Sequence, residues 1–324
     1  MKKIFLVLIV PLLLLLLFPY LAPAWYHFLA LQKPVNDADI LLVEGWISER
    51  SLRQAVQEFH RQDYRYLVVA SIQLPETYRL HSPGALVFPL KAPVLADSLE
   101  VQAYSTAAGG AYARMHLYIN AREVDSRMTE AAPKAYHFPL PNDSIRQIAV
   151  VYKDDHYDWD AGEDRNLYIS TIRIGAGLLS PRSDSAYLDR GELDGQKIQA
   201  IHRSEAGTTS SLLGEMGVAK EKIILIEAPK EEINKTLTTA RSVSQWMVRQ
   251  HKSHSINVFT ESTHARRSHM LYRKALPSHV QVGVIASRSR GYDAQNWWKH
   301  PAGRNYVLAQ TLKYIYALLT YFFV

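Results

Sequence analysis

The chain has 324 residues, 48% of them hydrophobic, enough for two domains with cores of their own. Its 37 Lys and Arg against 31 Asp and Glu leave a formal net charge of +6, spread along the chain with no long basic run interleaved with aromatics. No nucleic-acid partner is therefore expected, and the absence of cysteine excludes disulfides, thiolate metal sites and a cysteine nucleophile.

Lys2 and Lys3 precede an uncharged run from Ile4 to Trp25, long enough to cross a bilayer at about 20 residues per span. Positive charge ahead of the span predicts a cytoplasmic Met1 and an exported remainder. Residues 1–30 thus read as a membrane segment with two fates. Ala22-Pro23-Ala24 offers a cleavage site after a signal peptide. The length of the run and the interfacial aromatics Trp25 and Tyr26 favour an uncleaved single-pass anchor in the inner (cytoplasmic) membrane.

After a polar link at Gln32–Asp39, Ile40–Val43 reads as a fully buried strand of parallel type, ending in Glu44-Gly45-Trp46. Leu52, Ala55, Val56 and Phe59 then recur at helical spacing, and Tyr66–Ala70 is a second β-rich run. This is a β-α-β unit with a right-handed crossover. Gly45 permits a tight strand-to-helix turn. Glu44 at the strand end is an acid/base or a ligand to a sugar hydroxyl on one reading, and a cap for a neighbouring helix on another.

Between Leu80 and Gly177 helical periodicity vanishes. Short alternating runs take over, such as Leu99-Val101-Ala103, Met115-Leu117-Ile119 and Ile148-Val150-Tyr152, punctuated by glycine and proline. That pattern predicts an inserted all-β sandwich over residues 80–178. Its stretch from Asp154 to Asp164 is rich in carboxylates, which are either solvated or gathered around a hard cation.

Three segments here are Met115-His116-Leu117-Tyr118-Ile119-Asn120, the Asp155-x-x-x-Trp159-Asp160 spacing, and Asp164-Arg165-Asn166-Leu167-Tyr168-Ile169. Through them residues 99–175 resemble the calcium-dependent xylan-binding type of carbohydrate-binding module. The resemblance implies calcium held by Asp155, Asp160 and the carbonyl of Trp159, the ion in turn taking adjacent hydroxyls of a polysaccharide. Asp154 stands where that family usually has Asn.

The α/β pattern returns over residues 180–324. A helix through Leu212, Leu213 and Met216 ends at Gly217, a C-cap. Ile223–Ile226 is another buried strand, and Asn234-Lys235-Thr236 opens a long helix. Ile256–Lys274 then reads as strand, turn and helix. Such a turn faces the ligand crevice of an open α/β sheet, and the helix start offers unpaired N–H groups to an anion. Thr260, Ser262 and Thr263 can cap that helix, with His264, Arg266 and Arg267 following in its first turn. Cations there oppose the macrodipole, so a bound phosphate, pyrophosphate or carboxylate would offset them. The other reading is that they fan into solvent or pair with Glu261. Val280–Ile285 is a last strand, and Asn305–Val324 an apolar helix that Lys313 marks as packed on the sheet or lying at the membrane, not crossing it.

An ordered set of motifs runs through these halves: Asp39 to Trp46, Ser204-Glu205-Ala206, Gly217-Val218, Lys235-Thr236, Thr263-His264-Ala265-Arg266-Arg267-Ser268, Gly283-Val284-Ile285 and Trp297-Trp298. By these, residues 36–75 and 180–320 resemble the ElyC/SanA/YdcF family of mostly envelope-associated bacterial proteins. The resemblance implies a Rossmann-like domain whose site gathers Glu44, Gly45, Glu205, Thr236, Thr260, His264 and Arg267. Ala70-Ser71-Ile72 replaces a glycine pair of that family, and Gln310 a glutamate.

The expected fold class is thus α/β: a Rossmann-like parallel sheet (residues 36–78 and 180–324) interrupted by a β-sandwich and preceded by a membrane helix. As an enzyme, the protein would carry out phosphoryl or pyrophosphoryl chemistry on an envelope precursor such as a lipid-linked sugar. Arg267 and Arg266 would clamp the anion, and Ser262 would line its site. His264, with an ordinary pKa near 6.5, would act as acid or base while Glu44 or Glu205 orients it. No nucleophile elbow is present, which favours a second reading, a binding protein holding the anion unchanged. A third is a scaffold in polysaccharide or peptidoglycan assembly.

Overall fold

The computed structural model describes residues 18–140, 143–158, 160–182, 185–191, 193, 195–196, 198–250, 254–289 and 291–322. Two compact units divide the chain, one made of residues up to 73 together with 204–324, the other of residues 74–203.

The first unit holds helix α1 (18–29), strand β1 (Ile40–Glu44), α2 (Glu49–Arg61), β2 (Tyr66–Ile72), α3 (Glu205–Glu215), β3 (Ile223–Ala228), α4 (Lys235–Gln250), β4 (Ser255–Glu261), α5 (Ala265–Ala275), β5 (Gln281–Ser287) and α6 (Pro301–Phe322). The five strands form one parallel sheet in the order β3-β2-β1-β4-β5. β1 is buried along its whole length because both faces are covered. Ile40 and Leu42 point to a core completed by Ala240, Val243 and Tyr272 of α4 and α5, while Leu41 and Val43 meet Leu52, Ala55 and Leu213 of α2 and α3. An unbroken apolar run is what a doubly covered strand requires. The strand order reverses between β1 and β4, and a crevice opens at their carboxyl ends.

Helix ends follow local chemistry where hydroxyls are free. Ser204 Oγ accepts the Gly207 N–H at 3.0 Å to start α3, and Gly217 at φ 89° ends it. The expected caps on α5 are not made. A 3₁₀ turn, Ser262–His264, leads into that helix with no side-chain cap: the hydroxyls of Thr260 and Ser262 are engaged elsewhere, and that of Thr263, inside the turn, is buried without a partner.

Most of the apolar run from Ile4 lies outside the described residues. Among the described residues no helix is long and apolar enough to cross a membrane. The end of that run is instead docked: Trp25 donates its indole N–H to Thr311 Oγ1 at 2.9 Å, and Trp297 donates to the Ala22 carbonyl at 3.0 Å.

The second unit is antiparallel. One sheet has six strands, in spatial order 198–200, 187–189, 84–94, 145–152, 114–119 and 122–128; the other has five, with 177–179, 167–174, 98–105 and 134–139 in line and 78–80 also paired to 167–174. Alternation sets the core: Leu99, Val101 and Ala103 of one sheet face inward with Met115, Leu117, Ile148 and Val150 of the other. The insertion extends past the expected 80–178. Tyr187–Asp189 pairs with Ala85–Val87 and carries Ile198–Ala200 on its other edge, so the second α/β part starts at Ser204. Three-residue strands are too short to show a period in sequence.

Candidate functional site

The site lies at the reversal point of the sheet. Glu44, the last residue of β1, is buried, and its carboxylate accepts hydrogen bonds from Thr260 Oγ1 and, at 3.0 Å, from Ser268 Oγ. His264 Nε2 stands 3.5 Å from Glu44 Oε2. The imidazole packs on Trp46, ring centroids 4.7 Å apart, and an Arg267 amino group lies 3.1 Å from Nδ1 and 3.2 Å from Nε2. That group donates to whichever ring nitrogen lacks the proton.

Burial shifts the two titrating partners in opposite directions. It pushes the Glu44 carboxyl up, against the opposing pull of the Thr260 and Ser268 hydroxyls and the Arg267 charge. It drives the His264 imidazole well below its ordinary range, helped by the positive charges of Arg267 and Lys313. The histidine is therefore neutral at pH 7, and Arg267 is the fixed cation beside it. Arg267 Nε and Gln310 Oε1 are buried with no hydrogen-bond partner. An unpaired charged donor costs more than a neutral one, so these atoms mark where a ligand or water completes the site.

Arg267 and Gln310 border a cavity of about 580 Å³. Of the residues expected from sequence, Glu44, Glu205, Thr236, His264 and Arg267 line it. Four others do not. Gly45 packs against α3, where an added Cβ would fall 2.6 Å from Ala206 Cα. Thr260 is spent on holding Glu44. Ser262 sits at φ 47°, its hydroxyl 2.8 Å from that of Tyr26. Arg266 does not join the anion clamp: its guanidinium lies 3.8 Å over the Phe28 ring and Nε bonds the Phe28 carbonyl. Successive helical residues diverge by about 100°, so Arg266 and Arg267 cannot both face the crevice.

Sequence reasoning missed the far wall. Tyr306, Gln310, Lys313 and Ala317 of α6 line the cavity at i, i+4, i+7 and i+11, one face of the helix. Gln310 was singled out only as a departure and Lys313 only as an obstacle to membrane crossing. Their shared spacing was the available signal. Ile72, Leu271, Ile233 and Tyr321 add apolar surface to the cavity's lining.

In the inserted unit the acidic stretch forms a hairpin, His156–Asp158 against Glu163–Arg165. Asp155 precedes it and accepts the Tyr152 O–H at 3.1 Å; Asp160 lies exposed in its turn. Asp158 accepts the N–H groups of Asp160 and Ala161 at 2.9 and 3.0 Å, which hold its carboxyl below the usual range. Asp154 is used structurally, accepting the Arg114 N–H at 3.0 Å. Among the described residues no three His, Asp or Glu side chains converge on a metal position. The expected set needs only two carboxylates, Asp155 and Asp160, and its carbonyl, that of Trp159, lies outside the described residues. As oxygen-only donors, the two carboxylates fit a hard cation such as calcium, which also takes water and sugar oxygens.

Residues 98–189 match the family model of a calcium-dependent, xylan-binding carbohydrate-binding module. The inserted unit is thus of a glycan-binding type. The match lies wholly within that unit and does not extend to the α/β unit. Among curated proteins no significant match is found. Similar solved structures include a salicylyl-acyltransferase from a tetracycline biosynthetic pathway (11% identity, 75% of this chain and 66% of that one, TM-score 0.21). Others are a family two carbohydrate esterase from Clostridium thermocellum in complex with cellohexaose (9%, 77% and 99%, 0.22) and an acetyl xylan esterase from the rumen bacterium Butyrivibrio proteoclasticus (8%, 77% and 74%, 0.24). Scores of that size do not establish a shared fold.

Proposed function

We propose that this is an envelope protein, anchored in the inner membrane through residues 1–30, which holds glycan through its inserted module and an anionic, phosphate-bearing precursor in its α/β cavity. The buried, unpartnered Nε of half-buried Arg267, set beside neutral His264 in a lined cavity, carries the reading. A guanidinium with an unspent N–H is the group best matched to phosphate oxygens. The resemblance to the ElyC/SanA/YdcF family supports the envelope location, and the match over residues 98–189 supports polysaccharide as the second partner. Calcium, held by Asp155, Asp160 and the Trp159 carbonyl, would supply coordination positions for sugar hydroxyls.

The test is a titration of the full chain in detergent micelles with pyrophosphate, read by calorimetry and thermal shift. Pyrophosphate raises the melting temperature in proportion to its occupancy in the wild type. The effect is lost in Arg267→Ala. Absence of any shift in the wild type refutes the anion reading. Retention on insoluble xylan, with and without a chelator, tests the module separately.

A catalytic role has one observation in its favour. Glu44 and His264 are shifted toward each other from opposite sides and stand 3.5 Å apart, the arrangement of a proton-transferring pair. On this reading His264 takes a proton from water as its oxygen bonds the phosphorus, the bridging P–O bond breaks to release phosphate from the monophosphate, and Arg267 stabilises the developing charge. Phosphate release from a short polyprenyl pyrophosphate, falling about 10²-fold or more in His264→Ala, supports it. Binding without turnover leaves the protein as a holder of its ligand.

A further inference from the structure

Helix α6 has three faces, and only two are used. Val307, Thr311 and Tyr314 meet α1, where Phe28 stands edge-on to Tyr314 at 5.7 Å. Tyr306, Gln310, Lys313 and Ala317 face the cavity. The remaining stripe is Leu308, Leu312, Ile315 and Leu319, at i, i+4, i+7 and i+11, with exposures of 55, 69, 44 and 59%. Leu21, on the neighbouring α1, is also exposed. A row of large aliphatic side chains along one helix calls for an apolar partner.

The sequence just ahead of α1 points to which partner. Residues 4–17 are Ile, Phe, Leu, Val and Pro only. Phe18, where the described chain begins, meets Trp298 edge-on at 5.7 Å, just before the start of α6. A bilayer entered by residues 4–17 therefore lies within reach of this pair of helices.

We propose that the exposed stripe of α6 lies in the headgroup–acyl boundary of the bilayer that residues 4–17 enter. This rests on residues 1–30 being a membrane anchor.

Because the chain has no cysteine, single cysteines at Leu308, Leu312, Ile315 or Leu319, and at the exposed control Arg53, can be labelled with an environment-sensitive fluorophore in the full chain. The labelled proteins are reconstituted in phosphatidylethanolamine–phosphatidylglycerol vesicles. Stripe labels are expected to be quenched by brominated acyl chains and shielded from aqueous iodide, and the Arg53 label the reverse. Flotation of the vesicles reports anchoring independently. A chain that floats while its stripe labels are quenched by iodide keeps the anchor and overturns this inference; a chain that does not float overturns both. Shielding from both quenchers also overturns it, showing that a second copy or the chain's own apolar run covers the stripe.

Discussion

Gly45 separates packing from ligand contact. It ends the β1 turn directly against the first residues of α3, and a Cβ built there falls 2.6, 2.7 and 2.8 Å from Ala206 Cα, N and Cβ. Two of these atoms are backbone and none can rotate away, so Gly45→Ala must displace the start of α3. That displacement strains the Ala206 N–H bond to Ser71 Oγ (2.9 Å) and the Thr209 bond to the Gly45 carbonyl (2.7 Å). Overpacking of this kind costs about 1–3 kcal/mol. At roughly 2–4 °C per kcal/mol for a unit of this size, the melting temperature of the α/β unit falls by about 2 to 12 °C. Gly214, inside α3 with nothing within 4 Å of its notional Cβ, is the internal control. Gly214→Ala should stabilise by up to about 1 kcal/mol through helix propensity. Calorimetric melting of the full chain measures both. A Gly45→Ala protein that melts with the wild type would refute the close approach, and with it the account of why glycine stands there.

Arg267→Lys keeps a charge but loses the Nε donor and the planar fork. If one charge-assisted hydrogen bond of about 1.5–3 kcal/mol is lost, pyrophosphate affinity by calorimetry falls roughly 10- to 100-fold. Since the folded pKa of His264 lies below its ordinary 6.5, the unfolded chain binds the extra proton first, so its contribution to stability is lost as pH falls below about 6.5. Melting temperature between pH 7 and 5 should therefore drop more in the wild type than in His264→Gln. Glu44 acts in the opposite sense: its raised pKa contributes stability below its ordinary 4.5 that is lost as pH rises, and Glu44→Gln should flatten that side of the profile. Asp155→Asn with Asp160→Asn should abolish calcium-dependent retention on xylan while leaving pyrophosphate binding unchanged.

Much of this was legible before any coordinates, because periodicity is local. Ile40–Val43 announced a doubly covered strand, the alternation in Leu99-Val101-Ala103 announced a sandwich face, and Asp155 to Asn166 carried the pattern of the glycan-binding module. The pairing of Glu44 with the strand–turn–helix around His264 was expected from the rule that ligands bind where strand order reverses. What side chains do within a turn was harder to read. Arg266 and Arg267 are adjacent in sequence, yet one stacks on Phe28 and the other reaches the cavity.

The sequence by itself determined the kinds of elements, the oxygen-rich donors of the module and the residue types available to an anion. Tertiary structure alone decided that Thr260 and Ser268, 216 and 224 positions from Glu44, would spend their hydroxyls on its carboxylate. It also decided that α6 would close the cavity with Gln310 and Lys313. The reason is geometric: periodicity fixes which residues share a face, whereas what that face meets depends on the order in which distant strands and helices pack.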